Sequence, residues 1–289
     1  MQATVFLTDV ASLLKLRLSV SIAAAAAAGF ILAGGATGPR AGLVFLCVLA
    51  LAAGSACLNN WQDARLDGRM QRTAGRPLPA GRVRRAQAFA FAWALLIAGE
   101  AGLVLGPFAD RAAAVAALAV LLYNGIYTPL KRRTAWSLLP GVACGSLPPL
   151  IGWLAAGGVM TSPGVWSLMM VFGLWQPPHF WLVVFAHPDD YLNGKLPSML
   201  NVFSRAQLSR ILFIWTAMLG LSMLALPLAI GMTSPPLYAL ELVNAVALIW
   251  VFGRRLLKQP DDRTLFIVLN AAVLIGVGLV VLERLRWGV

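Results

Sequence analysis

Apolar stretches of about 20 residues recur along the chain, separated by short breaks rich in glycine, proline or charge. Nine such stretches cover about 18–35, 41–60, 86–106, 111–128, 137–156, 164–187, 207–230, 236–253 and 265–283. Each is long enough to cross a bilayer core of roughly 30 Å as a helix. Inside lipid a segment must satisfy its own backbone hydrogen bonds, which helices do within one segment. Strands of a membrane barrel would be shorter and would alternate in polarity. The pattern predicts an all-α polytopic membrane protein, a bundle of nine transmembrane helices forming one domain over residues 1–289. The first stretch follows Lys15 and Arg17 and ends in small residues, as a cleaved signal peptide does. Its polar leader is long for one, and it is kept as a helix.

Most breaks are tight turns, such as Gly106-Pro107, Gly157-Gly158 and Ser234-Pro235-Pro236. Two are longer, at about 61–85 and 188–206, and these are the segments able to carry chemistry.

Composition agrees with this reading: 60% of the residues are hydrophobic and 12% charged, against roughly 25% charged in soluble domains. The net charge of +12 invites two readings, nucleic acid or membrane topology, and its placement decides. With the N-terminus inside, all but Arg40, Arg111, Arg284 and Arg286 of the 23 Lys and Arg fall on one side. That is the positive-inside pattern. It places the N-terminus and both long loops in the cytoplasm, with the lipid bilayer as the surrounding partner. No soluble segment combines basic and aromatic residues as a nucleic-acid reader would, so no nucleic acid is expected. Cys47, Cys57 and Cys144 lie in or beside apolar stretches without metal-ligand spacing and are read as small packing residues.

The 11 acidic residues are the most informative. Asp63 and Asp67 close the second stretch, Asp189 and Asp190 close the sixth, and Asp261 and Asp262 are expected in a third inner loop. Continuing the second helix past Trp61 would align Asn60, Asp63 and Asp67 within about 60° of each other. An amide and two carboxylates on one stripe are hard-oxygen ligands suited to Mg²⁺, which binds through one or two carboxylates, waters and substrate phosphates. The simpler alternative is exposed carboxylates paired with nearby arginines. Against it stand the second carboxylate pair on the same side and the surrounding cations Arg72, Arg76, Lys131, Arg132, Arg133 and Lys195. Like charges about 4 Å apart repel by roughly 4 kcal/mol at an effective dielectric near 20. A diphosphate would therefore need bridging metal to dock here.

The run Asn59-Asn60-x-x-Asp63-x-x-x-Asp67, followed by Met70-x-Arg72-Thr73-x-x-Arg76-Pro77-Leu78, resembles the first signature of the UbiA prenyltransferase superfamily. The similarity is greatest to its protoheme IX farnesyltransferase (heme O synthase) branch. Tyr127-Thr128-x-x-Lys131-Arg132-Arg133-Thr134, Pro148-Pro149-Leu150-Ile151-Gly152-Trp153, Leu174-Trp175-Gln176-x-Pro178-His179-Phe180 and Asp190-Tyr191-x-x-x-x-Leu196-Pro197 match in order, over about residues 15–285. The resemblance implies a nine-helix bundle in the bacterial cytoplasmic (inner) membrane with a lipid-facing cavity under two acidic loops. It implies Mg²⁺-dependent transfer of a farnesyl group from farnesyl diphosphate to heme B, with heme-handling or oxidase-assembly proteins as the partner class. Asn59, Asn60, Asp63, Asp67, Asp189 and Asp190 would hold the metal-bound diphosphate. Arg72, Arg76, Lys131 and Lys195 would meet its oxygens, and Tyr127 would line the site. The branch usually carries an Ile-Pro-Met-Leu-Pro-like run after its Asp-Tyr. Here Leu196-Pro197-Ser198-Met199-Leu200-Asn201 departs from it, which leaves open another acceptor such as a quinone precursor or a chlorophyllide-like ring. A transporter is the rival from another class, but it would carry its ionisable residues near the bilayer midplane.

His179 lies inside the sixth stretch, where polar side chains are costly and usually face a cavity. Contact with the heme and a bundle-interior hydrogen bond both remain open for it, and His187 is read as a loop residue. Glu100 lies mid-stretch and is expected to make an interhelical hydrogen bond. The alanines at 23–28 are expected to allow close helix packing.

Overall fold

The computed structural model describes residues 2–186, 197, 199–258 and 262–287. It contains α1 (Gln2–Leu13), α2 (Leu16–Leu32), α3 (Pro39–Asp67), the one-turn α4 (Gln71–Ala74), α5 (Arg85–Leu105) and α6 (Asp110–Leu130). These are followed by α7 (Ala135–Ala155), α8 (Pro163–Ala186), α9 (Arg205–Ile230), α10 (Pro235–Lys258) and α11 (Asp262–Trp287). No strand occurs among the described residues. Eight of the helices are long and apolar enough to cross a membrane, and α2, with 17 residues, is a shorter apolar helix. Together they match the nine expected stretches. Asp262, expected in a loop, instead opens α11, where a carboxylate favours the positive end of the helix dipole.

The nine long helices form a closed ring: α2 packs on α3, α3 on α5, α5 on α6, and so on through α11, which returns to α2. Across the ring α2 also packs closely on α7. A β-carbon at Gly29 would overlap the Pro149 carbonyl, and one at Gly152 would overlap the Ala26 carbonyl. Ala23, Ala25 and Ala26 are buried as well, so small residues bring the two backbones together as expected. The outer surface is apolar: Leu105, Leu274 and Val243 are 84%, 76% and 66% exposed. So wide an apolar exterior is the covering that lipid, not water, solvates. Glu100, half-buried on α5, has no hydrogen-bond partner among the described residues, so the expected interhelical bond is not made.

Two departures from regular helix shape the chemistry. With 29 residues, α3 is about 44 Å long and outruns the hydrocarbon core, so its last turns stand at the membrane mouth. In α6, Leu121–Tyr127 is wound as a π-helix. Such wide turns are uncommon and are frequent at functional sites. Pro129, just beyond, offers no N–H to the preceding turn.

Candidate active site

The C-terminal end of α3 carries four polar side chains that the fold buries together. Asn59, Asn60, Asp63 and Asp67 are 2%, 3%, 3% and 5% exposed. The predicted continuation of the helix through Asp67 is present. The simpler alternative of exposed carboxylates does not hold, because neighbouring segments close over Asp63 and Asp67.

Each carboxylate has its own cations. Asp63 is paired with the Lys131 ammonium and, at 2.8 Å, with the Arg132 guanidinium. The Asn59 amide nitrogen donates to Asp63 at 2.9 Å and to the Thr128 hydroxyl at 3.0 Å. Asp67 is paired with Arg76 at 2.8 Å, and Arg76 also donates to the Asn60 amide oxygen at 3.3 Å. The Thr73 hydroxyl, on α4, donates to the Asp67 backbone carbonyl at 2.9 Å, tying the loop down where Arg76 must reach back.

The π turn sets the approach of α6. Gln62 donates to the Asn124 carbonyl at 2.9 Å, and the Asn124 amide donates to the Ser55 carbonyl at 3.0 Å. These bonds clamp the widened turn to α3 and deliver Thr128 and Lys131 to Asn59 and Asp63. Tyr127 stacks on Tyr123 with ring centroids 5.5 Å apart, and the Lys131 ammonium stands 5.6 Å above the Tyr127 ring.

Lys15 completes the cluster and was read from the sequence only as a topology signal. It sits between α1 and α2 with φ 46°, the one non-glycine residue at positive φ among those described. Its ammonium donates to the Asn59 amide oxygen at 2.6 Å, while Asn60 donates to the Leu13 carbonyl at 2.8 Å. Burial, aided by Arg76 and Lys131, pushes the Lys15 ammonium down to about 7. Lys15, Arg76, Lys131 and Arg132 thus face two carboxylates. The excess of positive charge is an environment that favours an anion. Arg132, named from the sequence only among nearby cations, is likewise a direct partner of Asp63.

The remaining sequence candidates divide. Arg72 is exposed on α4, and Arg76 is paired with Asp67. His179 lies on α8 and pairs with Asn270 of α11 at 3.1 Å, so the bundle-interior hydrogen bond is made. Asp189, Asp190, His187 and Lys195 lie outside the described residues, as does Ser198; Met199–Asn201 forms a short 3₁₀ turn. Among the described residues no three His, Cys, Asp or Glu gather in a metal-binding group. The donors present, two carboxylates and an amide oxygen on successive turns of one helix, suit a hard ion that keeps waters and takes further ligands from a substrate phosphate. Mg²⁺ fits that set.

The UbiA prenyltransferase family matches residues 20–277, most of the chain. The chain belongs to the UbiA prenyltransferase family. It is 36% identical over 222 residues to the protoheme IX farnesyltransferase of Nitratidesulfovibrio vulgaris, covering 76% of this chain and 77% of that one. It is also 36% identical to the protoheme IX farnesyltransferase of Geobacter sulfurreducens, covering 90% and 93%. Among solved structures, a UbiA homolog from Archaeoglobus fulgidus bound to GPP and Mg²⁺ superposes with a TM-score of 0.67 at 14% identity, covering 94% of this chain and 99% of that one. The likeness at that identity is one of fold; membership of the family and the eight long apolar helices make the chain an integral membrane protein.

Proposed function

We propose that this chain transfers a farnesyl group from farnesyl diphosphate to a vinyl group of heme B, giving heme O and diphosphate, in the cytoplasmic membrane. The observation that carries the diphosphate half is the buried cluster in which Lys15, Arg76, Lys131 and Arg132 converge on the end of α3. The acceptor follows the relatives named protoheme IX farnesyltransferase, which this chain matches over most of its length.

Asn59, Asn60, Asp63 and Asp67 would hold Mg²⁺, joined on the sequence pattern by Asp189 and Asp190. When bound, the ion neutralises the diphosphate and stabilises it as a leaving group. Lys15, Arg76 and Lys131 bind phosphoryl oxygens through charge-assisted hydrogen bonds, with Lys195 and Arg72 further candidates for the same task. The Tyr127 ring, held flat by Tyr123, presents an electron-rich face beside Lys131 and steadies nearby positive charge. In the reaction the C1–O bond of farnesyl diphosphate breaks and its electron pair leaves on the diphosphate. The vinyl π pair of the heme forms the new bond to C1. The resulting cation beside the porphyrin takes up water and releases a proton, leaving a hydroxyethylfarnesyl group. The apolar bundle keeps water from the allylic cation until the vinyl group has reacted.

Purified protein given heme B, farnesyl diphosphate and Mg²⁺ should yield a heme heavier by one farnesyl group and one hydroxyl group, by mass spectrometry. EDTA should abolish the product. Unchanged heme, with prenylation of a quinone precursor offered in parallel, would overturn the acceptor and leave prenyl transfer standing.

A further inference from the structure

His179 projects from α8 and Asn270 from α11, two helices that pack on each other across the ring. His179 Nδ1 lies 3.1 Å from Asn270 Oδ1. The Asn270 amide is oriented from its other end, where Nδ2 donates to the Phe266 carbonyl at 2.6 Å. The atom facing His179 is therefore an acceptor only, and the imidazole meets it by carrying its proton on Nδ1. That tautomer leaves Nε2 as a bare lone pair, and Nε2 makes no hydrogen bond to the described residues. The ring is held between Trp175 and Phe266, at centroid distances of 4.5 and 4.7 Å. On the same face of α8, the Trp175 indole N–H is buried without an acceptor among the described residues. An oriented imidazole with an unused lone pair, deep in an apolar bundle, is costly unless something completes it.

We propose that His179 and Asn270 form an iron-binding site for the acceptor heme, with His179 Nε2 as axial donor and Asn270 as the positioning residue. This rests on the heme reading above. A carbonyl-type acceptor on the far nitrogen is the usual support of a metal-bound imidazole, fixing its orientation and raising its basicity. Axial donation holds the macrocycle in the membrane interior. It also adds electron density to the porphyrin, which makes the conjugated vinyl group a better nucleophile toward the allylic cation.

The test titrates the purified full chain with heme B and with metal-free protoporphyrin IX, following the Soret band and the ferric EPR signal. Wild type should show imidazole-ligated iron and should bind heme B at least tenfold more tightly than the metal-free ring. His179→Ala should lose the imidazole signature, recover it on addition of free imidazole, and still bind farnesyl diphosphate. Asn270→Ala should keep a ligated spectrum but weaken heme binding on the order of tenfold, without changing affinity for the metal-free ring. Equal wild-type affinity for the two porphyrins, which needs no variant to fold, would overturn the iron site. So would an unchanged spectrum in His179→Ala. In either case, if wild type still farnesylates heme B, the proposed function survives. Wild type that neither binds nor farnesylates heme B overturns both.

Discussion

Lys131 and Asp63 are ion-paired across 68 positions of sequence, with α4 and α5 between the helices that supply them. The pairing depends on the π turn of α6, which Asn124 and Gln62 pin to α3. The carboxylate is buried while Lys131 and Arg132 keep 22% and 42% of their side chains exposed. The cations are thus open toward the mouth, and the carboxylate is the inner, fixed partner.

Replacing that partner has two consequences. Asp63→Asn leaves Lys131 and Arg132 without a counter-charge, and a partly solvated unpaired cation costs about 1–2 kcal/mol. The variant should therefore remain folded with a lowered melting temperature, read by thermal unfolding in detergent. Its turnover should fall a hundredfold or more, and Asp67→Asn should behave alike, with both losing sensitivity to Mg²⁺ concentration. Near-normal turnover in the double variant would reduce the two residues to a structural ion-pair network.

The cations separate into those that face the site and those that hold the loop. Arg76→Ala and Lys131→Ala should each weaken farnesyl diphosphate binding about tenfold, the equivalent of roughly 1.4 kcal/mol, measured by equilibrium binding. Arg85→Ala should change it less than about twofold, because its guanidinium donates to the Trp61 carbonyl and lies 5.0 Å over that ring, and tenfold is 1.4 kcal/mol on the same scale. Equal losses in all three would mean that diffuse surface charge, and not this cluster, attracts the substrate.

How much of this was legible beforehand follows from the range of the forces involved. Helix identity and number were readable because 20-residue apolar periods are a local property, and lipid permits few alternatives. The stripe of Asn60, Asp63 and Asp67 was readable for the same reason, since helical spacing fixes it. Burial of the stripe was not, because it depends on Lys15, Arg76 and Lys131 arriving from three other segments. Lys15 looked like a topology signal and Arg132 like one of several nearby cations, and nothing local distinguishes a basic residue that faces lipid headgroups from one turned into the mouth. For Lys15 the missing signal was a backbone one, its positive φ. His179 was recognisable as unusual by its depth, but its partner Asn270 lies 91 positions away.

Lys15 offers a test in which backbone and charge work in opposite directions. Its φ of 46° is costly for a residue with a β-carbon and cost-free for glycine. Lys15→Gly should therefore keep the fold as stable as wild type, or slightly more so, by thermal unfolding. Yet it removes one of the four basic groups of the cluster, so farnesyl diphosphate binding should weaken severalfold. Lys15→Met keeps the strain and loses the charge, and should match the binding loss with no gain in stability. Unaltered binding in both variants would confine Lys15 to holding Asn59.

The last prediction concerns orientation in the membrane. Lys15, Arg76, Lys131 and Arg132 meet at one end of the ring. At the opposite end Arg40 donates to the Pro107 carbonyl at 2.7 Å, and Glu283 accepts from the Ser234 backbone at 3.1 Å. The end with the acidic cluster also carries most of the basic residues, so it should face the cytoplasm. In a chain with Cys47, Cys57 and Cys144 replaced by alanine, single cysteines at Gly68 and Thr161 report the two ends. Both positions are exposed, and a β-carbon at Gly68 meets no atom closer than 3.7 Å. An impermeant thiol reagent should label Gly68→Cys only in inverted vesicles and Thr161→Cys only in intact cells. Labelling of Gly68→Cys from outside would place farnesyl diphosphate binding on the wrong face for a cytoplasmic substrate and overturn the orientation.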